Sequence, residues 1–424
     1  MLEISNKIKE KAVLVGVGKK YGLNSKSFEL DSFDSFEELR CLADTAGAKV
    51  VGTMAQLRSE IAPTYYIGKG KAFELKDEVE HLGADMVIFD NDLTPAQVSN
   101  LVKLLEIKVI DRPGLILDIF SLRAKTHEAK IQVELAQLKY ILPRLTRQWT
   151  HLSRQQGGIG TRGPGETQIE VDRRSIRKRI TYLTNALKKI DRRRATSRKK
   201  RKGYFKAALV GYTNAGKSTL INALSGAGVP VEDKLFKTID SVTRLVRYGF
   251  ASDILISDTV GFIRNLPHDL IASFKSTLDE VREADALLHV IDITNPEWEE
   301  QVEVVNNVLI DLGSSETKTI MVFNKIDILE NTAELSVLGK RYPDAVFLSA
   351  KYDTGIEELK TSLINAAMRD RLKLTMEFGP KDGLKMRDIY RYGTVLETRS
   401  NGDSVELTFT IPISQAEKLN LLKH

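Results

Sequence analysis

Gly211-Tyr212-Thr213-Asn214-Ala215-Gly216-Lys217-Ser218 is the stretch from which the fold can be read. The apolar run Ala207-Ala208-Leu209-Val210 precedes it, and Thr219-Leu220-Ile221-Asn222-Ala223-Leu224 follows with helical character. A strand, G-x-x-x-x-G-K-S and a helix, in that order, are the context of a phosphate-binding loop. Gly211 and Gly216 let the backbone curl so that successive N–H groups face phosphate oxygens, and the helix N-terminus adds the positive end of its dipole. Lys217 is expected to reach the β- and γ-phosphates, and the Ser218 hydroxyl to sit on Mg2+.

The chain around this loop has 424 residues, too many for one ordinary core, so several domains are expected. A hydrophobic fraction of 42% and a charged fraction of 28% describe a globular protein. Its one cysteine, Cys41, excludes an internal disulfide and a cysteine-built zinc cage, which fits a reducing cytoplasm. No apolar stretch approaches the ~18 residues of a membrane span, so no stable membrane insertion is expected.

Residues up to about 120 alternate short apolar runs (12–17, 49–54, 85–89, 107–110) with helical patterns (36–42, 72–81, 95–105). Strands separated by single helices predict a parallel sheet with crossover helices. Two segments here read as loops rich in ligand groups: Tyr66-Ile67-Gly68-Lys69-Gly70-Lys71, either a plain βα turn or an RNA-facing loop, and Asp111-Arg112-Pro113-Gly114. From 121 to 203 the pattern becomes two helices. Ile131, Leu135, Leu138 and Leu142 recur on one until Pro143, and Ile169, Ile176, Ile180, Leu183, Leu187 and Ile190 form a heptad-like seam on the other. Two facing stripes joined by one loop predict an antiparallel helical hairpin.

The joining loop, 155–168, holds five glycines, with Arg154 and Arg162 beside or within it. It is longer than the usual two to eight residues between packed helices, and its composition suits contact with RNA. The second helix then turns strongly basic. From Arg173 to Lys202 there are fifteen Lys or Arg against one acid, Asp191, so this +14 segment outweighs the whole chain's +6 and leaves the remainder near −8. Few aromatics interleave, which points to phosphate-backbone contact rather than base stacking.

Residues 204–370 alternate strand and helix, and four segments after the phosphate loop specify the nucleotide. Asp258-Thr259-Val260-Gly261 ends a strand; Asp258 can hold Mg2+ through water and the Gly261 N–H can bind the γ-phosphate. Asn324-Lys325-Ile326-Asp327 ends another. Asp327 can accept from guanine N1–H and the 2-amino group, which adenine cannot donate; Lys325 is expected along the base plane and Asn324 bracing the phosphate loop. Ser349-Ala350-Lys351 fits a loop whose backbone reads guanine O6. Leu235-Phe236-Lys237-Thr238-Ile239-Asp240 is the candidate first switch, with Thr238 completing the Mg2+ shell and Thr243 as its rival. Lys217, Thr238 and Gly261 are the expected catalytic groups, and Ser218 and Thr238 the metal ligands. Phe262 stands where many small GTPases place a water-orienting Gln, so slow intrinsic hydrolysis accelerated by a partner is expected. His268 reads as a loop residue. In 371–424, Asn401-Gly402 between β-rich runs predicts a hairpin within a small α+β domain.

The sequence resembles the HflX family of ribosome-associated GTPases over nearly its whole length. The resemblance rests on Tyr66 to Lys71, Asp111-Arg112-Pro113-Gly114-Leu115-Ile116-Leu117-Asp118-Ile119-Phe120, Gln132-Val133-Glu134-Leu135-Ala136-Gln137-Leu138, Gly157 to Glu166, Asp172-Arg173-Arg174 and the nucleotide motifs. It implies binding to the large ribosomal subunit (50S) and its rRNA, with the glycine-rich tip near the peptidyl-transferase region. It also implies GTP hydrolysis stimulated there, and splitting or rescue of stalled ribosomes under stress. The expectation is a multidomain α/β protein: an N-terminal parallel α/β sheet domain (1–120), an antiparallel helical hairpin (121–203), a P-loop GTPase domain (204–370) and a C-terminal α+β domain (371–424). GTP or GDP with Mg2+ would be bound, and the chain is taken to act as a cytoplasmic monomer. A signalling switch with a protein effector would have no use for fifteen bases in one strip, and a membrane-associated GTPase would carry a lipid or apolar anchor.

Overall fold

The computed structural model describes residues 9–19, 28–145, 168–199, 204–226, 236, 242–248, 252–264, 275–329, 333–369, 371–402 and 404–421. The chain divides into two compact units, residues 1–190 with 234–237 and 266–273, and the remainder.

In the first unit, β1 (Lys11–Lys19), α1 (Phe28–Ala46), β2 (Lys49–Arg58), α2 (Lys69–Leu82), β3 (Met86–Phe89), α3 (Pro95–Leu105) and β4 (Lys108–Asp111) alternate. The strands pair in parallel in the order β2-β1-β3-β4, each parallel connection supplied by a helix. The central strand β3 is buried along its whole length, which is why its sequence is a continuous apolar run without alternation. Thr94 and Gln97 form a reciprocal capping box that starts α3 at Pro95. Tyr66 to Lys71 is a βα turn: Gly68 caps α2, and its N–H donates to Gln56 Oε1 at 2.8 Å.

One expectation needs correcting. Asp111-Arg112-Pro113-Gly114 is not an open loop but the N-cap and first turn of a helix, α4 (Arg112–Arg123). Proline is tolerated there because a first-turn N–H has no intrahelical partner to lose. Asp111 is fully buried. Its Oδ1 accepts from Gly114 N–H and the Tyr140 hydroxyl, and its Oδ2 accepts from Leu93 N–H and Arg144 Nη2. Burial, reinforced by Asp111, holds the Tyr140 phenol well above its ordinary pKa. Arg112 is 1% exposed, with one Nη on Asp90 and the other on Glu38 at 2.6 Å. Burial works against its charge, but the two carboxylates more than offset that. These groups look like ligands in the sequence and act as structural cross-links in the fold.

Helix α5 (His127–Arg144) and helix α6 (Gln168–Lys199) form the hairpin. Ile131 and Leu135 bury against Leu183, with Leu138, Ile180, Leu187 and Ile190 packed around them. Arg173 donates to the Leu145 carbonyl at one end, and Arg179 grips Glu134 with Nε and Nη2 further along, so the helices run antiparallel. Pro143 lies in the last turn of α5 and the helix ends at the next residue. Arg174, Arg177, Lys178, Lys188, Lys189, Arg192 and Arg193 are exposed on α6. The glycine-rich segment 155–167, with Arg154 and Arg162, lies outside the described residues.

The second unit contains a six-stranded sheet in the order β10-β9-β8-β5-β7-β6. Its strands are β5 (Phe205–Gly211), β6 (Val242–Tyr248), β7 (Ser252–Asp258), β8 (Ala286–Asp292), β9 (Lys318–Asn324) and β10 (Val346–Phe347). All pairings are parallel except β6 on β7. Among the described residues its helices are α7 (Lys217–Ser225), α8 (Lys275–Arg282), α9 (Trp298–Asp311), α10 (Ala333–Arg341) and α11 (Ile356–Arg369). The same unit ends in β11 (Arg371–Phe378), α12 (Gly383–Tyr392), β12 (Thr394–Asn401), β13 (Ser404–Pro412) and α13 (Ile413–Lys418). The predicted hairpin is there, turning at Gly402 with φ +60°, and β11 adds to it as a third antiparallel strand over Ile389, Phe409, Ile411 and Ala416.

Replacing Arg112 with Met takes the guanidinium away from buried Asp90 and half-buried Glu38, and the expected loss of stability is about 3–5 kcal/mol. Amide exchange in β3 and α4 should quicken accordingly; unchanged exchange would show that Arg112 is not the cross-link described.

Candidate functional site

In a doubly wound sheet, ligands gather outside the C-terminal strand ends. Here β5, β7, β8, β9 and β10 all deliver polar residues to that edge. Strand β5 ends at Gly211, whose φ is +148° and whose absent Cβ would lie 2.2 Å from the Val290 carbonyl oxygen. A side chain there would collide with backbone, so the close turn out of the strand requires glycine. Asn214 takes φ +64° inside the loop, and Gly216 at φ +94° leads into α7.

Two neighbours hold the loop. Asn324, at the end of β9, is 3% exposed; its Nδ2 donates to the Ala215 carbonyl at 2.9 Å and its Oδ1 accepts from Ala350 N–H at 3.0 Å. One amide therefore joins the phosphate loop, the Asn324 segment and the Ser349 loop. On the other side, Phe262 N–H donates to the Gly211 carbonyl and Thr213 N–H to the Phe262 carbonyl, at 3.1 and 2.8 Å. The Tyr212 hydroxyl accepts from Arg264 N–H at 2.9 Å, extending this two-residue bridge. Phe262 itself is 2% exposed, so its ring is a packing element pointing away from solvent.

Lys217 Nζ donates to the carbonyls of Gly211 and Tyr212 at 2.9 and 2.6 Å. Burial lowers its pKa to about 8, with Asp258 pulling it partly back. Ser218 Oγ donates to Asp258 Oδ2 at 2.9 Å, so the hydroxyl and the carboxylate converge from α7 and β7. Among the described residues Thr213 Oγ1 is buried with no hydrogen-bond partner, and a Cβ on Gly261 would come within 3.1 Å of Lys217 Nζ. An orphan hydroxyl, a buried ammonium and a glycine-only gap surround one point at the loop. Thr259 donates to the Leu209 carbonyl at 2.6 Å, which fixes the segment from Asp258 to Val260 beneath the loop.

Asp327 is exposed on a one-turn 3-10 helix (Ile326–Ile328), and Lys325 before it adopts φ +67°. Lys325 Nζ lies 2.5 Å from Asp292 Oδ2, a partner that no motif in the sequence singled out. The Ala350 amide is engaged by Asn324; Ser349 is 1% exposed and closes its loop by donating N–H to the Thr354 carbonyl. Arg264, which belongs to no sequence motif, pairs with Glu297 and, at 2.7 Å, with Glu300 on α9.

Of the candidate first switch, only Phe236 is among the described residues. It is 3% exposed and stacks edge-on to Phe120 at 4.7 Å within the first unit, so its ring is an apolar anchor. Leu235, Lys237, Thr238, Ile239 and Asp240 lie outside the described residues, as does His268. The rival Thr243 sits in β6 opposite Ser257, sharing a hydroxyl hydrogen bond of 2.9 Å with it.

His289, in the strand beside β5, is 2% exposed. Burial, then the nearby Lys217 charge, lower its pKa from 6.5 to about 4. The unfolded chain therefore takes the proton first, and stability falls as pH drops from about 6.5 to about 4, by no more than ~3 kcal/mol. Replacing His289 with Leu should flatten that part of the stability–pH curve, measured by urea unfolding with and without the substitution.

Comparison with known proteins bears on this arrangement. Residues 34–121 match the family described as GTP-binding GTPase N-terminal, 123–201 the GTP-binding GTPase middle region, and 206–325 the 50S ribosome-binding GTPase. GTPase HflX of Caldanaerobacter subterraneus subsp. tengcongensis is 44% identical over 96% of this chain and 92% of its own. GTPase HflX of Escherichia coli (strain K12) is 42% identical over 97% and 95%. A third GTPase HflX, from Magnetococcus marinus, is 47% identical over 88% and 86%. With its nucleotide loop held between two strand-end segments and this likeness running almost end to end, the chain belongs to the HflX family of GTPases.

Proposed function

We propose that this GTPase hydrolyses GTP with Mg2+ as a timer for its stay on the large ribosomal subunit, and that it splits or rescues stalled ribosomes under stress. The observation that carries the nucleotide half is Asn324, whose single amide locks the phosphate loop to the two segments read as guanine-specific. The exposed bases of α6 and the ribosome-binding description of the matched family support the other half.

In this reading Asp327 accepts from guanine, Lys325 lies along the base, and the 349–351 loop faces O6. The N–H groups of Gly211 to Ser218 hold the β-phosphate. Lys217 leaves the Gly211 and Tyr212 carbonyls for the phosphate oxygens, and the Gly261 N–H meets the γ-phosphate. Ser218 and Thr238 would hold Mg2+, with Asp258 acting through water; the paired oxygens of Ser218 and Asp258 are the hard donors that ion takes. When bound, the ion neutralises charge on the β- and γ-phosphates. The Phe262 ring cannot orient the attacking water, so the ribosome supplies that group or orders the switches. Loss of the γ-phosphate releases the switches and ends the ribosome-bound state. The protein acts in the cytoplasm as a monomer; among the described residues no helix is long and apolar enough to cross a membrane.

Sedimentation with ribosomal subunits in a non-hydrolysable GTP analogue tests the ribosomal half. The protein should travel with the large subunit at low salt and leave it steeply as salt rises; no co-migration would sink the reading. Asp327→Asn should move nucleotide preference from GTP towards XTP, since the amide that replaces the carboxylate cannot accept from both guanine donors and can donate to the 2-oxo group of xanthine. Unchanged GTP affinity would overturn the assignment of Asp327.

A further inference from the structure

Lysine is one of the side chains that lose most freedom on being ordered. Lys325 follows Asn324 directly and takes a left-handed backbone conformation, φ +67°, that a non-glycine residue adopts only when its surroundings hold it there. What holds its side chain is visible. Strands β8 and β9 run parallel in a register that sets Asp292 beside Asn324, the last residues of each. Ile293 N–H donates to the Asn324 carbonyl at 3.2 Å and continues that alignment one step past the strands. Asp292 Oδ2 then receives Lys325 Nζ at 2.5 Å. Its other oxygen, Oδ1, accepts from Thr294 N–H at 3.1 Å and from the Thr294 hydroxyl at 2.6 Å. The carboxylate is thus fixed by its own turn before it meets the lysine. The two side chains are only 25% and 16% exposed, so solvent screens the pair weakly compared with the exposed ion pairs elsewhere on the chain.

We propose that Asp292 is a positioning residue of the guanine site: it clamps the Lys325 ammonium so that the lysine's stem is laid out for the base before any nucleotide arrives. The proposal rests on the reading of Asn324 to Asp327 as the guanine-recognition segment. Order established in the free protein need not be paid for by the ligand, so the clamp acts on nucleotide affinity. It touches neither the phosphates nor the attacking water, so the chemical step is unaffected. Asp292 acts equally on GTP and GDP, which share the base.

The test is a double-mutant cycle on the full-length protein, reading GTP and GDP affinity and steady-state hydrolysis. Asp292→Asn keeps the size of the side chain and an oxygen for Thr294, while Asp292→Ala removes both. Each should weaken GTP and GDP by the same factor, about tenfold for the alanine, with the change in KM and not in kcat at saturating GTP. In a Lys325→Ala background, Asp292→Ala should cost nothing further. Asp292→Glu should recover part of the affinity. Equal losses in the two backgrounds, or a fall in kcat at unchanged KM, would show that Asp292 does not work through Lys325. Nucleotide-free thermal melting of each variant separates a collapsed strand end from a lost clamp. If Asp327→Asn switches preference to XTP while the cycle shows no coupling, the clamp alone is refuted. If Asp327→Asn changes nothing, the guanine reading itself fails.

Discussion

The side-chain amide of Asn324 is the constraint on which the nucleotide edge depends. It donates to one loop and accepts from another while sitting at the end of a third element, and it is buried. A buried amide group that loses a partner forfeits roughly 1–3 kcal/mol, so these loops cannot drift independently without penalty. Glycine at 216 is part of the same arrangement, because a Cβ there would come within 2.2 Å of Asn324 Nδ2. The motif glycine and the motif asparagine, 108 positions apart in sequence, are two halves of one contact.

Much of the architecture was legible in the sequence because its strands are apolar runs interrupted by helices of clear period. Strand β3 and strand β8 are buried at nearly every position, and such strands announce themselves. Helix α4 and strand β11 did not. Asp111-Arg112-Pro113-Gly114 contains the residues that usually end structure, yet Asp111 caps the helix and Pro113 falls in its tolerant first turn. Strand β11 alternates exposed and half-buried residues and carries charges on its open face, a signal too faint without its partner β13.

The nucleotide edge was readable where chemistry demands fixed spacing and unreadable where it demands only proximity. A phosphate loop must be contiguous, so Gly211 to Ser218 could be recognised as it stands. Asp292 has no such obligation. Any acid ending the strand beside Asn324 could meet Lys325, and only the register of β8 on β9 shows that this one does. Arg112 and Asp111 mislead in the opposite direction. Charged residues next to glycine suggest a binding loop, while their near-complete burial makes them internal struts of the first unit.

The bridge between Tyr212 and Phe262 carries a consequence for engineering. Residue 262 is held by two backbone hydrogen bonds to the phosphate loop, with its side chain buried. A glutamine introduced there would not inherit the water-orienting task that the residue performs in other GTPases. Its amide would be buried without partners, at a penalty of about 1–3 kcal/mol. Bringing a side chain at this position out to solvent therefore takes more than one substitution, because it means re-routing the main chain after Gly261. A single exchange at 262 changes what packs beside the loop and leaves the main-chain bridge to Gly211 and Thr213 in place.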